Sequence, residues 1–459
     1  MGVFALELDD RALSLARDGR ILTSAPSAIR VNSAGQAWHE LRSRPRDIST
    51  RHLGALLSQR GPMSRVADSL AEAELQRRLA DQSPADTDRL WIVTPARCEP
   101  SGLAALLGVM RRMGLSVHGF IDSATIAAAS TDARRNSIVL ELGLHHTGGT
   151  AVDRDAIQTR RRHTALSERG GLLELYQAWL ELVGNTMVKR TRFDPLHDAA
   201  TEQQLFDALP KLATQASDTG ATIATVSRGN QQFEVTLTRD QFAQAAEPIY
   251  RSMIGLLHQL RPAGTPVTII IPRAAARLPG LREQLDRFND CELVSTTDGF
   301  GALAASLLEL QEPPASTDSV RLLRRIPIQS KAALGADLTR QPLGQLRSAD
   351  PPPSHVLWDG RAYSLSAESV VVGRGASDSA RHLTLPDGLA GVSRRHCTFV
   401  QDGDHVILLD HSSYGTYVNN ERVLERVRIY AGDRIRLGDP GIELALIAVG
   451  DVPANPEVV

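Results

Sequence analysis

Cysteine, long apolar runs and a secretory leader are scarce or missing in this chain of 459 residues. Its three cysteines, Cys98, Cys291 and Cys397, lie too far apart to suggest a zinc site or a disulfide framework. No apolar run reaches the ~20 residues that a membrane-spanning helix requires. The N-terminus has neither a basic region nor a long apolar core. We therefore expect a cytoplasmic protein without a membrane anchor and without a metal site.

A net charge of one sign is missing too, because 51 basic residues nearly balance 53 acidic ones and leave a formal charge of −2. This balance offers no basic field for nucleic acid or for an anionic membrane. The basic run Arg160-Arg161-Arg162 has no interleaved aromatic residues, so we interpret it as a solvated strand or loop. The chain is too long for one hydrophobic core, which predicts two or three domains.

Proline is concentrated in residues 311–354, together with scattered Ser, Thr and Gln. This composition is typical of a linker. It would separate a body of residues 1–310 from a C-terminal module of residues 355–450.

The body alternates short apolar runs with amphipathic segments. The runs that predict strands are Phe4–Leu8, Trp91–Thr94, Ser137–Leu142, Phe233–Thr238 and Thr268–Ile271. Residues 239–260 carry apolar side chains at helical spacing, which predicts a helix facing the core. Strands that alternate with helices indicate an α/β architecture.

The C-terminal module consists of short β-runs broken by turn residues, which predicts a β-sandwich. Three polar clusters lie at predicted strand ends, so the loops of a sandwich could gather them at one edge. They are Gly373-Arg374, the segment Ser393 to His396, and the segment Asp410 to Asn419.

The chemistry of these clusters suits a phosphoryl group, which needs guanidinium, hydroxyl and backbone N–H donors. Arg374 and Arg394 supply positive charge, while Ser393 and Ser413 supply hydroxyls. A sandwich that is kept for protein contacts and binds no phosphate is the alternative.

The three clusters resemble the forkhead-associated (FHA) domain, which has Gly-Arg, Ser-Arg-x-His and Ser-x-x-Gly-Thr-x-Val-Asn in this order. The resemblance covers roughly residues 355–449 and implies that Arg374, Ser393 and Ser413 hold a phosphothreonine, with Arg394 also contacting the ligand. It implies that His396 supports a loop.

The FHA family often has Asn directly before Gly-Thr, where it holds the main chain of the ligand. This chain has Tyr414 at that position. The substitution affects the grip on the peptide and not the recognition of phosphate.

Residues 1–310 resemble the actin-like ATPase superfamily in its heat-shock-chaperone branch, which implies a two-lobed α/β fold. The matching segments occur in the order of the family. They are Phe4–Leu8 with Asp18-Gly19, Pro26-Ser27, Asp122-Ser123 with Ala127 to Ala129, Ile138 to Val152, Gly170-Gly171, Thr238-Arg239 with Phe242, and Arg277 to Gly280.

The phosphate-binding turns of that superfamily are altered here. The first turn reads Glu7-Leu8-Asp9-Asp10 in place of Asp-x-Gly-Thr, and the second begins Glu141-Leu142-Gly143 but continues with Leu-His-His. The adenosine turn, normally Gly-Gly, is Arg273-Ala274. We therefore expect no catalytic residues and no cofactor: ATP with magnesium is possible but not expected. Glu7, Glu141 and Gly143 are candidates for a residual nucleotide site.

The adjacent histidines His145 and His146 would point to opposite faces of a strand, which argues against a metal site.

These observations predict a cytoplasmic, phosphothreonine-dependent scaffold with a pseudo-ATPase, chaperone-like domain. It would bind a phosphothreonine-containing protein downstream of a Ser/Thr kinase. The alternative is an active ATPase whose nucleotide state is coupled to phosphopeptide binding, with Glu7 and Glu141 replacing the metal-organising aspartates. A third hypothesis is a filament or membrane-assembly protein of the actin-like type.

Overall fold

The computed structural model describes residues 2–30, 37–38, 48–58, 64–80, 82, 84, 88–131, 136–167, 170–308, 320–328, 334, 338–344, 350–365, 368–375 and 381–449. The chain forms two compact units. The first comprises Met1–Leu260, Val267–Arg287 and Cys291–Leu343, and the second comprises Arg261–Pro266, Phe288–Asp290 and Gly344–Val459.

The first unit mixes strands and helices. Its strands are β1 (Val3–Leu8), β2 (Ala12–Arg17), β3 (Arg20–Pro26), β4 (Ala28–Arg30), β5 (Ala37–Trp38), β6 (Ile48–Ser49), β7 (Arg89–Thr94), β8 (Val117–Asp122), β9 (Ser137–Leu142), β10 (Thr147–Arg154), β11 (Gln158–Ser167), β12 (Ala221–Arg228), β13 (Gln231–Thr238), β14 (Val267–Pro272), β15 (Cys291–Thr296), β16 (Arg321–Leu323), β17 (Arg325–Pro327) and β18 (Leu338–Leu343). Its helices are α1 (His52–Ser58), α2 (Ser64–Leu79), α3 (Pro100–Arg112), α4 (Ser123–Ser130), α5 (Leu172–Thr191), α6 (Ala199–Thr219), α7 (Arg239–Leu260), α8 (Arg273–Ala276), α9 (Leu281–Leu285) and α10 (Phe300–Ser306).

The two main sheets of the first unit share the order of five of their strands. The first sheet runs β16-β8-β7-β1-β2-β3, and the second runs β17-β11-β10-β9-β14-β15-β18. In each sheet an antiparallel meander, β1-β2-β3 or β9-β10-β11, is followed by two parallel strands beside its first strand. The unit thus repeats one topology that no sequence repeat had revealed.

The predicted elements of the body agree with the observed ones to within a few residues. The helix predicted over residues 239–260 is α7, whose buried face includes Phe242, Ile249 and Met253. Strand β14 is buried along nearly its whole length, as expected for a parallel strand that is covered on both faces.

The predicted linker differs from the structure. Within residues 311–354, β16 pairs with β8, β17 with β11, and β18 with β15, so the first unit continues to Leu343 and not to residue 310. Edge strands tolerate proline because one side of the strand needs no hydrogen bonds. Pro342 lies in the edge strand β18, and Ile326 of β17 is buried. Composition alone therefore predicted a linker where the structure has edge strands.

The second unit is an all-β sandwich. Its strands are β19 (His355–Trp358), β20 (Arg361–Ser364), β21 (Val370–Gly373), β22 (Arg381–Thr384), β23 (Cys397–Asp402), β24 (His405–Asp410), β25 (Thr416–Val418), β26 (Glu421–Arg422), β27 (Arg426–Ile429), β28 (Arg434–Leu437) and β29 (Ile442–Ile447). They form two sheets, β20-β19-β29-β28-β25-β26 and β22-β21-β23-β24-β27. Both sheets contribute to one core, for example Val356 and Leu444 from the first and Phe399 and Leu408 from the second.

Candidate phosphopeptide-binding site

Three loops of the sandwich meet at one edge, as the sequence predicted. They are the end of β21 with Arg374, the segment before β23 with Ser393, and the connection between β24 and β25 with Ser413. The backbone N–H of Arg374 donates to the Ser393 carbonyl at 3.2 Å, and the N–H of Ser413 donates to the Ser393 hydroxyl oxygen at 3.2 Å. Ser393 therefore joins the other two loops.

Gly373 allows the close approach of the first two loops. A Cβ atom at this position would lie 2.0 Å from the carbonyl oxygen of Arg394, a distance that real Cβ atoms do not adopt. The N–H of Gly375 also donates to that carbonyl, at 2.9 Å. The close approach of the two backbones therefore requires glycine at position 373, and Arg374 supplies the positive charge.

The guanidinium of Arg374 is oriented by the neighbouring loop. Its Nε donates to the Val392 carbonyl at 2.5 Å, and its terminal nitrogens have no hydrogen bond to another residue within the described ranges. Arg394 is exposed on the same edge. Neither guanidinium forms an ion pair with any residue that the structure describes. Both therefore carry positive charge that no described carboxylate offsets.

The hydroxyl of Ser393 accepts a hydrogen bond from the N–H of Ser413, so its own proton remains available to a ligand oxygen. Ser413 is exposed beside it. The side chain of Tyr414 is 60% exposed, so it lies on the surface next to the hydroxyls and not in the core. The five predicted residues, Arg374, Ser393, Arg394, Ser413 and Tyr414, belong to these three converging loops.

His396 is buried and connects two of the three loops. Its Nδ1 accepts the N–H of Ser393 at 3.0 Å, and its Nε2 donates to the carbonyl of Gly415 at 3.2 Å. Both bonds require the neutral ring with its proton on Nε2. Burial lowers the pKa of His396, although the Gly415 bond and the charge of Asp410 oppose the shift. His396 is a positioning residue, in line with the supporting role implied by the FHA resemblance.

Asp410 shapes the third loop, and the sequence reasoning gave it no role. Its Oδ1 accepts the N–H of Ser412 at 3.0 Å and the hydroxyl of Thr416 at 2.7 Å. An aspartate two residues before a turn serine is a known signal for such a side-chain-to-backbone bond. That spacing could have identified Asp410.

This sandwich, with guanidinium and hydroxyl groups converging at one edge, defines a module of the FHA class. Residues 370–438 match the family model described as the FHA domain. The FHA prediction is confirmed for these residues.

Among curated proteins, the chain is similar to the FHA domain-containing protein FhaA of Mycobacterium tuberculosis (strain ATCC 25618 / H37Rv). The two are 45% identical over 80 residues, which are 17% of this chain and 14% of that relative. The matched stretch is a small part of both chains, and this chain spans far less than two thirds of that relative.

In the first unit, the first turns of the two meanders meet. The turn between β1 and β2 holds Asp10, and the turn between β9 and β10 holds Leu144, His145 and His146. The Asp10 carboxylate is buried and accepts the N–H of Leu144 at 3.1 Å and of His145 at 3.3 Å, and it lies 3.0 Å from His146 Nδ1. Burial alone would raise the pKa of Asp10, but the hydrogen bond and charge of His146 lower it.

The candidates for a residual nucleotide site lie around these turns. Glu7 accepts the N–H of Ala302 at 3.1 Å, and Glu141 accepts the hydroxyl of Ser123 at 2.9 Å. Both line a small cavity of about 90 Å³, and burial raises the pKa of each carboxyl group.

Gly143 lies directly against Asp10, because a Cβ atom at this glycine would be 2.4 Å from Asp10 Oδ1. His145 and His146 lie in the turn and not on a strand, so the prediction that they face opposite sides of a strand was wrong. Across the described ranges, no group of His, Cys, Asp or Glu is suited to a metal ion.

The two turns contain an internal carboxylate, that of Asp10. The N–H groups of Leu144 and His145 already donate to this carboxylate. A phosphate brought within ~4 Å of this carboxylate would be repelled by about 4 kcal/mol per charge pair at an effective dielectric of ~20. That repulsion corresponds to almost three decades of affinity at ~1.4 kcal/mol per decade.

Proposed function

We propose that this chain is a phosphothreonine-dependent binding protein that acts as a scaffold in Ser/Thr-kinase signalling, with the FHA module as the reader. The observation that carries the proposal is the convergence of Arg374, Ser393 and Ser413 on one exposed edge, with the charge of Arg374 not offset by a described carboxylate. A phosphoryl dianion supplies the acceptors that this set of donors lacks. The partner is a phosphothreonine-containing protein and the upstream enzyme a Ser/Thr kinase.

The test is fluorescence anisotropy of the full chain with a library of phosphothreonine peptides and their unphosphorylated counterparts. A charge-assisted hydrogen bond contributes ~1.5–3 kcal/mol, so Arg374→Ala should weaken binding of phosphopeptides at least about tenfold. The matched control is Arg434→Ala, which removes an exposed arginine that pairs with Glu443 in the same module. Equal binding by wild type and Arg374→Ala would refute the proposal.

For the first unit we propose the fold of the actin-like ATPases in their heat-shock-chaperone branch, in a degenerate form that does not hydrolyse ATP. The shared strand order of the two main sheets supports this proposal, because it repeats an antiparallel meander and two parallel strands. The carboxylate of Asp10, held by the N–H groups of Leu144 and His145, supports the loss of nucleotide binding.

Calorimetry with magnesium-ATP on the full chain tests this second proposal. We expect no binding in the micromolar range. Micromolar binding that is abolished by Glu141→Ala would refute the pseudo-ATPase proposal and restore the active-ATPase alternative.

We propose the cytoplasm as the site of action, where Ser/Thr kinases and their phosphorylated targets meet. Cys98, Cys291 and Cys397 are free and buried, which suits a reducing compartment. No helix within the described ranges has both the length and the hydropathy to cross a bilayer.

A further inference from the structure

A cavity of about 870 Å³ lies within the first unit, separate from the FHA module. Its volume falls in the range that holds a small organic ligand, roughly 300–1,000 Å³. Aromatic and proline side chains contribute to its wall, among them Tyr176, Phe206, Pro210 and Pro272. Tyr176 and Phe206 pack edge to face, with ring centroids 5.7 Å apart. The wall therefore suits a ligand with a flat apolar body.

The acidic groups in the wall of this cavity already have partners. Asp298 pairs with Arg11 at 2.9 Å, and Asp207 accepts a hydrogen bond from Gln203 Nε2 at 2.6 Å. The negative charge and acceptor capacity of these two carboxylates are thus partly used within the protein. The carboxylates therefore attract a cationic ligand only weakly.

The basic groups in the wall of the cavity differ in whether they form an ion pair. Arg277 forms an ion pair with Asp218. Arg273, at the start of α8, is half-buried and has no hydrogen bond or ion pair with any other described residue. Its Nε is buried without a hydrogen-bond partner among the described residues, so an anion in the cavity would supply the acceptor that this group lacks. The positive charge of Arg273 is therefore available to pair with a negatively charged ligand in the cavity.

We propose that this cavity binds a small organic anion with an aromatic or alicyclic body. Its carboxylate, sulfonate or phosphate would pair with Arg273, and its apolar body would lie against Tyr176 and Phe206. The ligand is not a nucleoside triphosphate, because the N–H groups of the turn at Leu144 are already bound to Asp10. This binding site is independent of the phosphothreonine reader.

The test uses two fluorescent probes of nearly equal shape with the full chain. 1-Anilinonaphthalene-8-sulfonate carries one negative charge, and N-phenyl-1-naphthylamine is its uncharged counterpart. Wild type should bind the sulfonate saturably and at least about tenfold more tightly than the neutral amine, as expected for one charge-assisted contact. Arg273→Gln should remove this preference by weakening only the binding of the sulfonate.

Arg277→Gln is the matched control, because it removes an arginine of the same wall whose charge is already paired with Asp218. It should change the affinity for the sulfonate by less than about twofold. Equal affinity of wild type and Arg273→Gln for the sulfonate, or equal affinity of wild type for both probes, would overturn the proposal. Displacement of the sulfonate by micromolar ATP would overturn it as well, since the cavity would then be a nucleotide site.

Discussion

Replacement of Asp10 by alanine tests whether an internal carboxylate holds the two meander turns of the first unit together. Asp10 accepts the N–H groups of Leu144 and His145 and faces His146 Nδ1, and it is only 2% exposed. In Asp10→Ala the buried N–H of Leu144 and the partly buried donors of His145 and His146 lose this acceptor. Because the turns belong to different sheets, the change should loosen the connection between the sheets.

The size of the effect follows from the three lost contacts. A buried donor left without a partner costs roughly 1–3 kcal/mol. Contributions around one carboxylate are not additive, so we expect a total of about 3–5 kcal/mol, the range for a buried pair that loses one member. At ~1.4 kcal/mol per decade, this corresponds to a change of about two to three and a half decades in the local opening equilibrium.

Hydrogen–deuterium exchange followed by mass spectrometry measures this opening directly. The amides of Leu144 and His145 should exchange at least about a hundredfold faster in Asp10→Ala, because both lose the carboxylate that accepts their hydrogen bonds. The control is Asp153→Ala, which removes a carboxylate whose pairing with Arg160 is exposed and is expected to contribute less than about 1 kcal/mol. Unchanged exchange at both amides would refute the reasoning.

The same contact predicts a pH dependence. The folded-state pKa of Asp10 is lowered by His146 despite burial, whereas an unfolded aspartate titrates near ~3.9. The contribution of Asp10 to stability is therefore fully present above about pH 4 and is lost as the pH falls towards the folded-state pKa. The difference in exchange between wild type and Asp10→Ala should shrink below about pH 4, and a difference that grew there would contradict the assigned ionisation.

Three further predictions concern the module. Gly373→Ala should abolish phosphopeptide binding and lower the melting temperature, because its Cβ would collide with the Arg394 carbonyl; unchanged anisotropy with the same peptide would contradict this. His396 has a folded-state pKa lowered mainly by burial, so the stability that it contributes is present above about pH 6.5 and is lost below it. Thermal melts of wild type and His396→Asn should then converge in acid, and convergence only above pH 6.5 would count against the neutral tautomer. Tyr414→Asn should tighten phosphopeptide binding by about 1 kcal/mol, one hydrogen bond to the ligand main chain, and weaker binding would show that the exposed ring itself holds the peptide.

Local patterns in the sequence determined the elements whose cause is local. The helix over residues 239–260 followed from apolar side chains at helical spacing, and β1 and β14 followed from the apolar runs Phe4–Leu8 and Thr268–Ile271. The residues of the phosphate-binding loops could be named because their types are short motifs at strand ends. The role of Gly373 as a close-contact glycine depends on the crossing of two backbones, which the sequence does not show. The role of Asp410 as a loop acceptor is local, and its spacing to Ser412 could have identified it.

Only the tertiary structure decided the features that depend on partners distant in sequence. The proline-containing composition of residues 311–354 looks like that of a linker, but pairing of β16, β17 and β18 with β8, β11 and β15 makes these strands part of the first unit. Asp10 and Leu144 are more than a hundred residues apart (|i−j| = 134), so no periodicity could show that one supplies the acceptor of the other. The sequence shows Arg273 in place of a glycine, but only the structure shows that this arginine lines a cavity and has no hydrogen bond or ion pair with another described residue. Burial, charge pairing and register are properties of the packed chain, and the sequence alone determines them only where the contacts are local.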